Sequence, residues 1–208
     1  MASTSEPNGP VGFRELWSAQ DRQELDVFLG AVRRDDLVAG LLAVAGAGPE
    51  EADACKRRIA EWGRVLASRM PSPAVSSARQ QVAALTRLLS FEEGFKGDED
   101  DYHDPRNSLL PEVIERRRGM PILLSCLWIA VGRAAGVRVE GIGLPGRFIV
   151  RVGGSSGVFA DPFAGGAVVG EDDCRRTVKE LSGGTIEWSD DFLNPARTDQ
   201  ILERVLQN

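Results

Sequence analysis

The chain carries three cysteines, Cys55, Cys126 and Cys174, and a single histidine, His103. A thiol, an imidazole and a carboxylate together make an acyl-transfer site. The thiolate attacks, the imidazole takes its proton, and the acid orients the imidazole. Here that set reduces to Cys126 as nucleophile and His103 as base, with Asp161 as the acid and Ser125 beside the thiol. Cys126 sits inside an apolar run, however, where the ordinary role of a cysteine is that of a small buried hydrophobe. The three cysteines lie far apart and are odd in number, so they form neither a disulfide framework nor a metal-ligand pattern. With one histidine the usual zinc sets are excluded, and no metal or cofactor is expected.

A second cluster is rich in oxygen. Residues 94–104 read GFKGDEDDYHD and supply Asp98, Glu99, Asp100, Asp101 and Asp104. Hard cations need several oxygens on a fixed loop geometry, and this spacing matches no calcium loop. A solvated acidic loop is therefore expected. Three cationic or amide side chains complete the polar set: Arg106, which can cap or clamp the loop, Asn107, and Arg147, which should pair with Asp161. The glycines between Gly141 and Gly146 lack a strand–loop–helix context and are turn residues, not a phosphate cradle. A net charge of −6 argues against non-specific nucleic-acid binding, although Arg116, Arg117 and Arg118 form a small basic patch.

The elements that position these groups follow from hydrophobic period. Residues 1–12 are small and polar and are expected to be a disordered tail. Residues 13–95 read as a helical subdomain. Residues 21–33 place Leu25, Phe28, Leu29 and Val32 on one face. A short helix covers 36–45, and a longer one from Pro49 buries Ile59, Trp62 and Leu66. A helix over 74–91 buries Val82, Leu85, Leu88 and Leu89. Asn107 or Ser108 should cap the next helix, which ends at Gly119. Residues 121–136 are apolar on nearly every face, so that helix must be enclosed. The period then changes to two. Val137 and Val139 alternate with charges, 141–146 form a turn-rich joint, and 147–152 and 158–161 make a hairpin. Val168 and Val169 suit a short edge. Helices follow over 171–181 and 195–206. The last leaves Ile201, Leu202, Val205 and Leu206 as an unspent apolar face. Residues 96–192 should form the core domain, and 193–208 a C-terminal helix that begins a longer helical extension. The N-terminus shows no basic start followed by an apolar core, and the run from Pro121 to Val131 is too short to span a bilayer. A cytoplasmic, reduced protein is expected.

Four separated segments resemble the SirB-type branch of the transglutaminase-like superfamily, a bacterial group often coupled to tetratricopeptide helices. They are YHDPRNSLL from Tyr102, ERRRGMPI from Glu115, GLPGRFIVR from Gly143 and DPFAGG from Asp161. The resemblance implies an α+β fold: a papain-like core of one buried helix on a small antiparallel sheet, with an N-terminal helical subdomain. It also implies where a Cys-His-Asp triad would stand. Active members place the cysteine two residues after a glycine, which here is Pro121 after Gly119. The histidine position, in a Pro-Gly-His-Phe context, is Arg147. Only the acid remains, as Asp161. Proline offers no nucleophile, and arginine stays protonated and cannot act as a base.

Two functions are expected to compete. One is a non-catalytic transglutaminase-like module that binds a protein or peptide in a cleft formed by Asp104, Arg106, Asn107, Arg147 and Asp161, without nucleic acid or membrane. The other is a cysteine-dependent amide hydrolase or acyl transferase with Cys126 and His103 as a relocated dyad.

Overall fold

Ser18 opens the first described helix, α1 (Ala19–Arg33). Its hydroxyl accepts from the Asp21 amide while the Asp21 carboxylate accepts from the Ser18 amide, a reciprocal cap. The computed structural model describes residues 18–208, so the expected tail at 1–12 lies outside the described residues. Asp36 caps α2 (Leu37–Val44), and α3 (Pro49–Ser68) begins on a proline whose missing N–H costs nothing in a first turn. α3 buries Ile59, Trp62 and Leu66, the expected stripe.

The helix expected over 74–91 starts later, as α4 (Ala78–Leu85). Ser77 and Gln80 cap it reciprocally, and the Gln81 amide donates back to the Pro73 and Ser76 carbonyls, holding 73–76 as a turn. α4 then widens into a π-helical segment, Thr86–Glu92, which buries Leu88 and Leu89. Such wide turns are rare outside positions where packing or function imposes them.

The centre is α6 (Pro121–Ala134), in which every residue from Pro121 to Gly132 is buried. An all-round apolar helix has no face to offer water, and here it is enclosed on all sides. α3 crosses it where Gly63 meets Ala134, an approach that leaves no room for a Cβ on Gly63. On another side lies an antiparallel meander, β3 (Val139–Leu144), β4 (Arg147–Val152), β5 (Val158–Asp161) and β6 (Ala167–Val169), in that spatial order.

The expected joint at 141–146 is mostly strand. Leu144 pairs with Arg147, so only Pro145 and Gly146 turn the chain, and Gly146 has φ +76°. A proline followed by a positive-φ glycine suits a type II turn. Gly141 and Gly143 serve another purpose. A Cβ on Gly141 would lie 2.8 Å from the Phe148 ring, and one on Gly143 would lie 3.0 Å from Arg204 Nη1. The glycines make room for an aromatic ring and a guanidinium across the strand.

α7 (Glu171–Leu181) covers a small cluster of Ile142, Leu144, Ile149, Cys174 and Val178. The main cluster of buried residues runs without a break from Leu37 on α2 to Val205 on α8 (Thr198–Leu206). That overturns the expectation of an unspent last helix. Ile201, Leu202 and Val205 are buried, Leu202 lies against Gly40 of α2, and only Leu206 is left exposed. No helix among the described residues is long and apolar enough to cross a membrane.

Candidate functional site

The acidic loop is solvated only in part: Glu99, Asp100 and Asp101 are exposed as expected, but two of its carboxylates are not. Asp98 is 3% exposed and Asp104 7%. Burying carboxylates requires partners, and arginines before, at the end of and just after α5 (Leu110–Arg116) supply them. Arg116 Nη2 lies 3.2 Å from both Asp98 Oδ2 and Asp104 Oδ2, and its Nη1 donates to Asn107 Oδ1 at 3.2 Å. Arg106 pairs with Asp104 at 2.6 Å, and Arg118 reaches Asp98 at 3.6 Å and Asp100 at 3.2 Å. Arg117, with a left-handed φ of 61°, turns the other way. It pairs with Glu93 and lies over the rings of Trp62 and Phe95 at 5.3 and 4.7 Å.

Two expectations change with this. The helix does not run on to Gly119, because β1 (Lys96–Gly97) pairs in parallel with β2 (Arg118–Gly119) and ties the loop to the segment before α6. Nor does Asn107 or Ser108 cap a helix. Asp104 caps a 3-10 turn, Pro105–Ser108, by accepting from the Arg106 amide. Asn107 is fully buried, donating to the Asp101 carbonyl at 2.8 Å and accepting from Arg116. It is a brace for the loop that carries Tyr102.

The Arg106 guanidinium and amide, which donate to Asp104, hold its carboxyl at about 2, below the ordinary 3.8. A lowered folded-state pKa stabilises the fold above the unfolded value, and that stabilisation is lost as pH falls through the folded one. Urea unfolding midpoints should therefore drop between pH 3.8 and about 2, and Asp104→Asn should flatten that part of the profile. An unchanged acid slope in the variant would mean the loop pairing contributes nothing.

The inferred triad positions converge elsewhere. Pro121 is the first residue of α6, Arg147 the first of β4 and Asp161 the last of β5. Arg147 Nε and Nη2 both donate to Asp161 Oδ2, at 2.9 and 2.6 Å. Asp161 Oδ1 accepts from the Phe163 amide at 2.9 Å and the Ala164 amide at 3.2 Å. The guanidinium also lies 4.7 Å over the Phe163 ring. The carboxylate is thus fully used: one oxygen holds the arginine and the other closes the turn after β5. Pro121 and Arg147 line a cleft of about 40 Å³ together with Tyr102, Phe148 and Arg204.

The alternative dyad is not assembled. Cys126 is completely buried, and burial pushes its thiol far above the ordinary cysteine range. Neutral Cys126 therefore has no thiolate to offer at neutral pH. Neither Cys126 nor His103 is among the residues lining the cleft. His103 packs edge-on against Tyr102, with ring centroids 5.4 Å apart. Ser125 donates to the Phe148 carbonyl at 3.3 Å and is likewise buried. Of the residues expected to line the cleft, Arg147 does so, and Asp161 stands behind it. Asp104, Arg106 and Asn107 belong to the network that braces Tyr102. Among the described residues no three His, Cys, Asp or Glu side chains gather as a metal-binding group.

Two cleft residues went unassigned in the sequence. Tyr102 lies in one of the four motif segments but had no role. Arg204 had a signal: it falls between Leu202 and Val205, three residues after Ile201, on the apolar face of α8. A cation on a buried stripe needs a reason. Here its Nη2 donates to the Leu144 and Arg147 carbonyls at 2.7 and 3.1 Å, closing the β3–β4 turn from the side.

Known proteins are similar to this chain in sequence. A family model described as the transglutaminase-like superfamily matches residues 53–207. A UPF0162 protein of Xylella fastidiosa is 40% identical over 134 residues, covering 62% of this chain and 47% of that protein. A UPF0162 protein of Pseudomonas aeruginosa is 33% identical over 152 residues, 73% of this chain and 54% of its own. The chain thus spans about half the length of these bacterial relatives. F-box only protein 21 of Mus musculus is 34% identical over 85 residues, 40% of this chain and 14% of the mouse protein. No solved structure matches. With the matched region running from within α3 to the end of α8 and taking in the loop network, α6, the meander and the cleft, the chain belongs to the transglutaminase-like superfamily.

Proposed function

We propose that this chain is a non-catalytic transglutaminase-like domain of the SirB-type branch, acting in the cytoplasm as a protein- or peptide-binding module. The observation that carries this reading is the Arg147–Asp161 pair. The acid that would orient a catalytic histidine is bound at 2.6 Å to a residue that cannot take a proton. The residue at the expected nucleophile position, Pro121, has no reactive atom. A small cleft remains in front of α6, lined by Tyr102, Pro121, Arg147, Phe148 and Arg204, and none of these supplies the nucleophile and base needed to cut or join a polypeptide. The recurrence of a similar segment within a far longer protein, where it makes up 14% of the length, agrees with a portable module.

The competing reading, a thiol enzyme using Cys126, is disfavoured by complete burial of the thiol. Alkylation with iodoacetamide at neutral pH, followed by peptide mass mapping, separates the two. Cys126 should stay unmodified in the native protein and react only after denaturation. Incubation with a glutamine peptide and an amine should yield no amide exchange above buffer. Rapid selective alkylation of native Cys126, or turnover lost in Cys126→Ala, would overturn the binding-module reading.

A further inference from the structure

The cleft in front of α6 holds one positive charge that the protein itself does not neutralise. Arg147 is spent on Asp161. Arg204 is not spent on any acid. Its Nη2 bonds two backbone carbonyls, and among the described residues no carboxylate forms an ion pair with it and no acceptor meets its Nε or Nη1. Its guanidinium lies 5.5 Å from the Phe148 ring centroid, and burial lowers its pKa from the ordinary arginine value, the Tyr102 phenol acting in the opposite sense. A desolvated cation without a counter-charge is costly, in a chain whose net charge is −6 and which pairs most of its other partly buried arginines.

Two further features face the same cleft. Tyr102 is 36% exposed, and no hydrogen bond engages its hydroxyl among the described residues. α6 has no side-chain cap, since Met120 and Pro121 supply no acceptor for its first free amides. A guanidinium, a phenol O–H and a helix N-terminus are all donors. The cleft contains donors, and none of the side chains lining it, Asn208 at its edge included, is a carboxylate.

We propose that the cleft binds a carboxylate of a peptide ligand, with Arg204 as its counter-charge and the Tyr102 hydroxyl as a second donor. This rests on the peptide-binding reading above and names the group that is recognised. The space of about 40 Å³ admits a carboxylate. A phosphoryl group, carrying close to two negative charges, calls for more than one free cation, and Arg147 is already neutralised. Acidic side chains and a peptide C-terminus share this chemistry, and the probes can tell them apart.

The test is an amide-detected NMR titration of the full chain, following Ile122, Gly146 and Phe148. The probes are N-acetyl-glutamate α-amide for a side chain, N-acetyl-glycine for a chain end, N-acetyl-glutamine α-amide as the neutral isostere, and inorganic phosphate. One or both carboxylate probes should shift these amides saturably, and the stronger identifies the source. The glutamine probe should not. Arg204→Gln should weaken binding by about tenfold or more, as expected for a charged hydrogen bond. Because Arg204 also bonds backbone carbonyls, Tyr102→Phe is the second variant. It removes one hydroxyl and should weaken binding a few-fold with the spectrum otherwise preserved. Three results would overturn the proposal: no saturable shift with either carboxylate, tighter binding of phosphate, or undiminished binding in both variants. The Cys126 alkylation result is independent of this titration. A reactive Cys126 would remove the module reading and leave the anion site standing, whereas a silent titration would do the reverse.

Discussion

Replacing Arg116 with methionine should destabilise the protein by about 3–5 kcal/mol, the usual cost of leaving buried charges without their partner. Methionine keeps the apolar stem and the helix propensity, so the loss reports the guanidinium. That guanidinium touches Asp98, Asp104 and the Asn107 amide oxygen, all at 3.2 Å. Without it, Asp98 keeps Arg118 at 3.6 Å and the Asp101 amide at 3.3 Å, and Asn107 Oδ1 keeps no donor among the described residues. The comparison is Arg118→Met. Arg118 has a weaker hold on Asp98, and its other partner, Asp100, is 88% exposed in its side chain. An exposed pair of that kind is worth about 0–1 kcal/mol. Urea unfolding of the two variants at pH 7 should therefore rank them far apart. Similar small losses from both would show that the loop carboxylates are not held by Arg116 and that the acidic stretch is effectively solvated after all.

The elements legible in the sequence were those set by period and caps. The all-apolar stretch from Pro121 forced an enclosed helix, and alternation at Phe148, Val150 and Val152 forced a strand with one face on it. What could not be read was anything that depended on partners distant along the chain. Asp98 and Asp104 look as solvated as their neighbours until Arg116 and Arg118 fold back onto the loop. Gly141 and Gly143 look like a joint until Phe148 and Arg204 need the space above them. The apolar face of α8 looked free because its acceptor, Gly40 on α2, lies more than 150 residues earlier in the sequence. The candidate site divides in the same way. Pro121, Arg147 and Asp161 were implied by the resemblance to a known family, while Tyr102 and Arg204 emerge only once the loop and the last helix are seen to meet at one cleft.

Asp161 offers the sharpest way to ask what the cleft has become. Asp161→Ala should cost about 3–5 kcal/mol, because it strands the half-buried Arg147 guanidinium and removes the acceptor for two backbone amides. Arg147→Ala should cost less, about 1–3 kcal/mol, since Asp161 keeps the Phe163 and Ala164 amides that already favour its charge. The double variant should be more stable than the sum of the two losses predicts, as the stranded cation is gone. A residue kept only to orient a base would behave otherwise: with the base absent, its removal would be nearly neutral. Denaturant unfolding of the four proteins in this cycle gives the answer directly. If Asp161→Ala is tolerated within about 1 kcal/mol, the acid is a relic and the pair does not hold the cleft. If the asymmetry appears, Asp161 fixes the β3–β4 turn against β5 through Arg147. The ion pair, in which no proton can move, then holds Arg147 in place at the cleft.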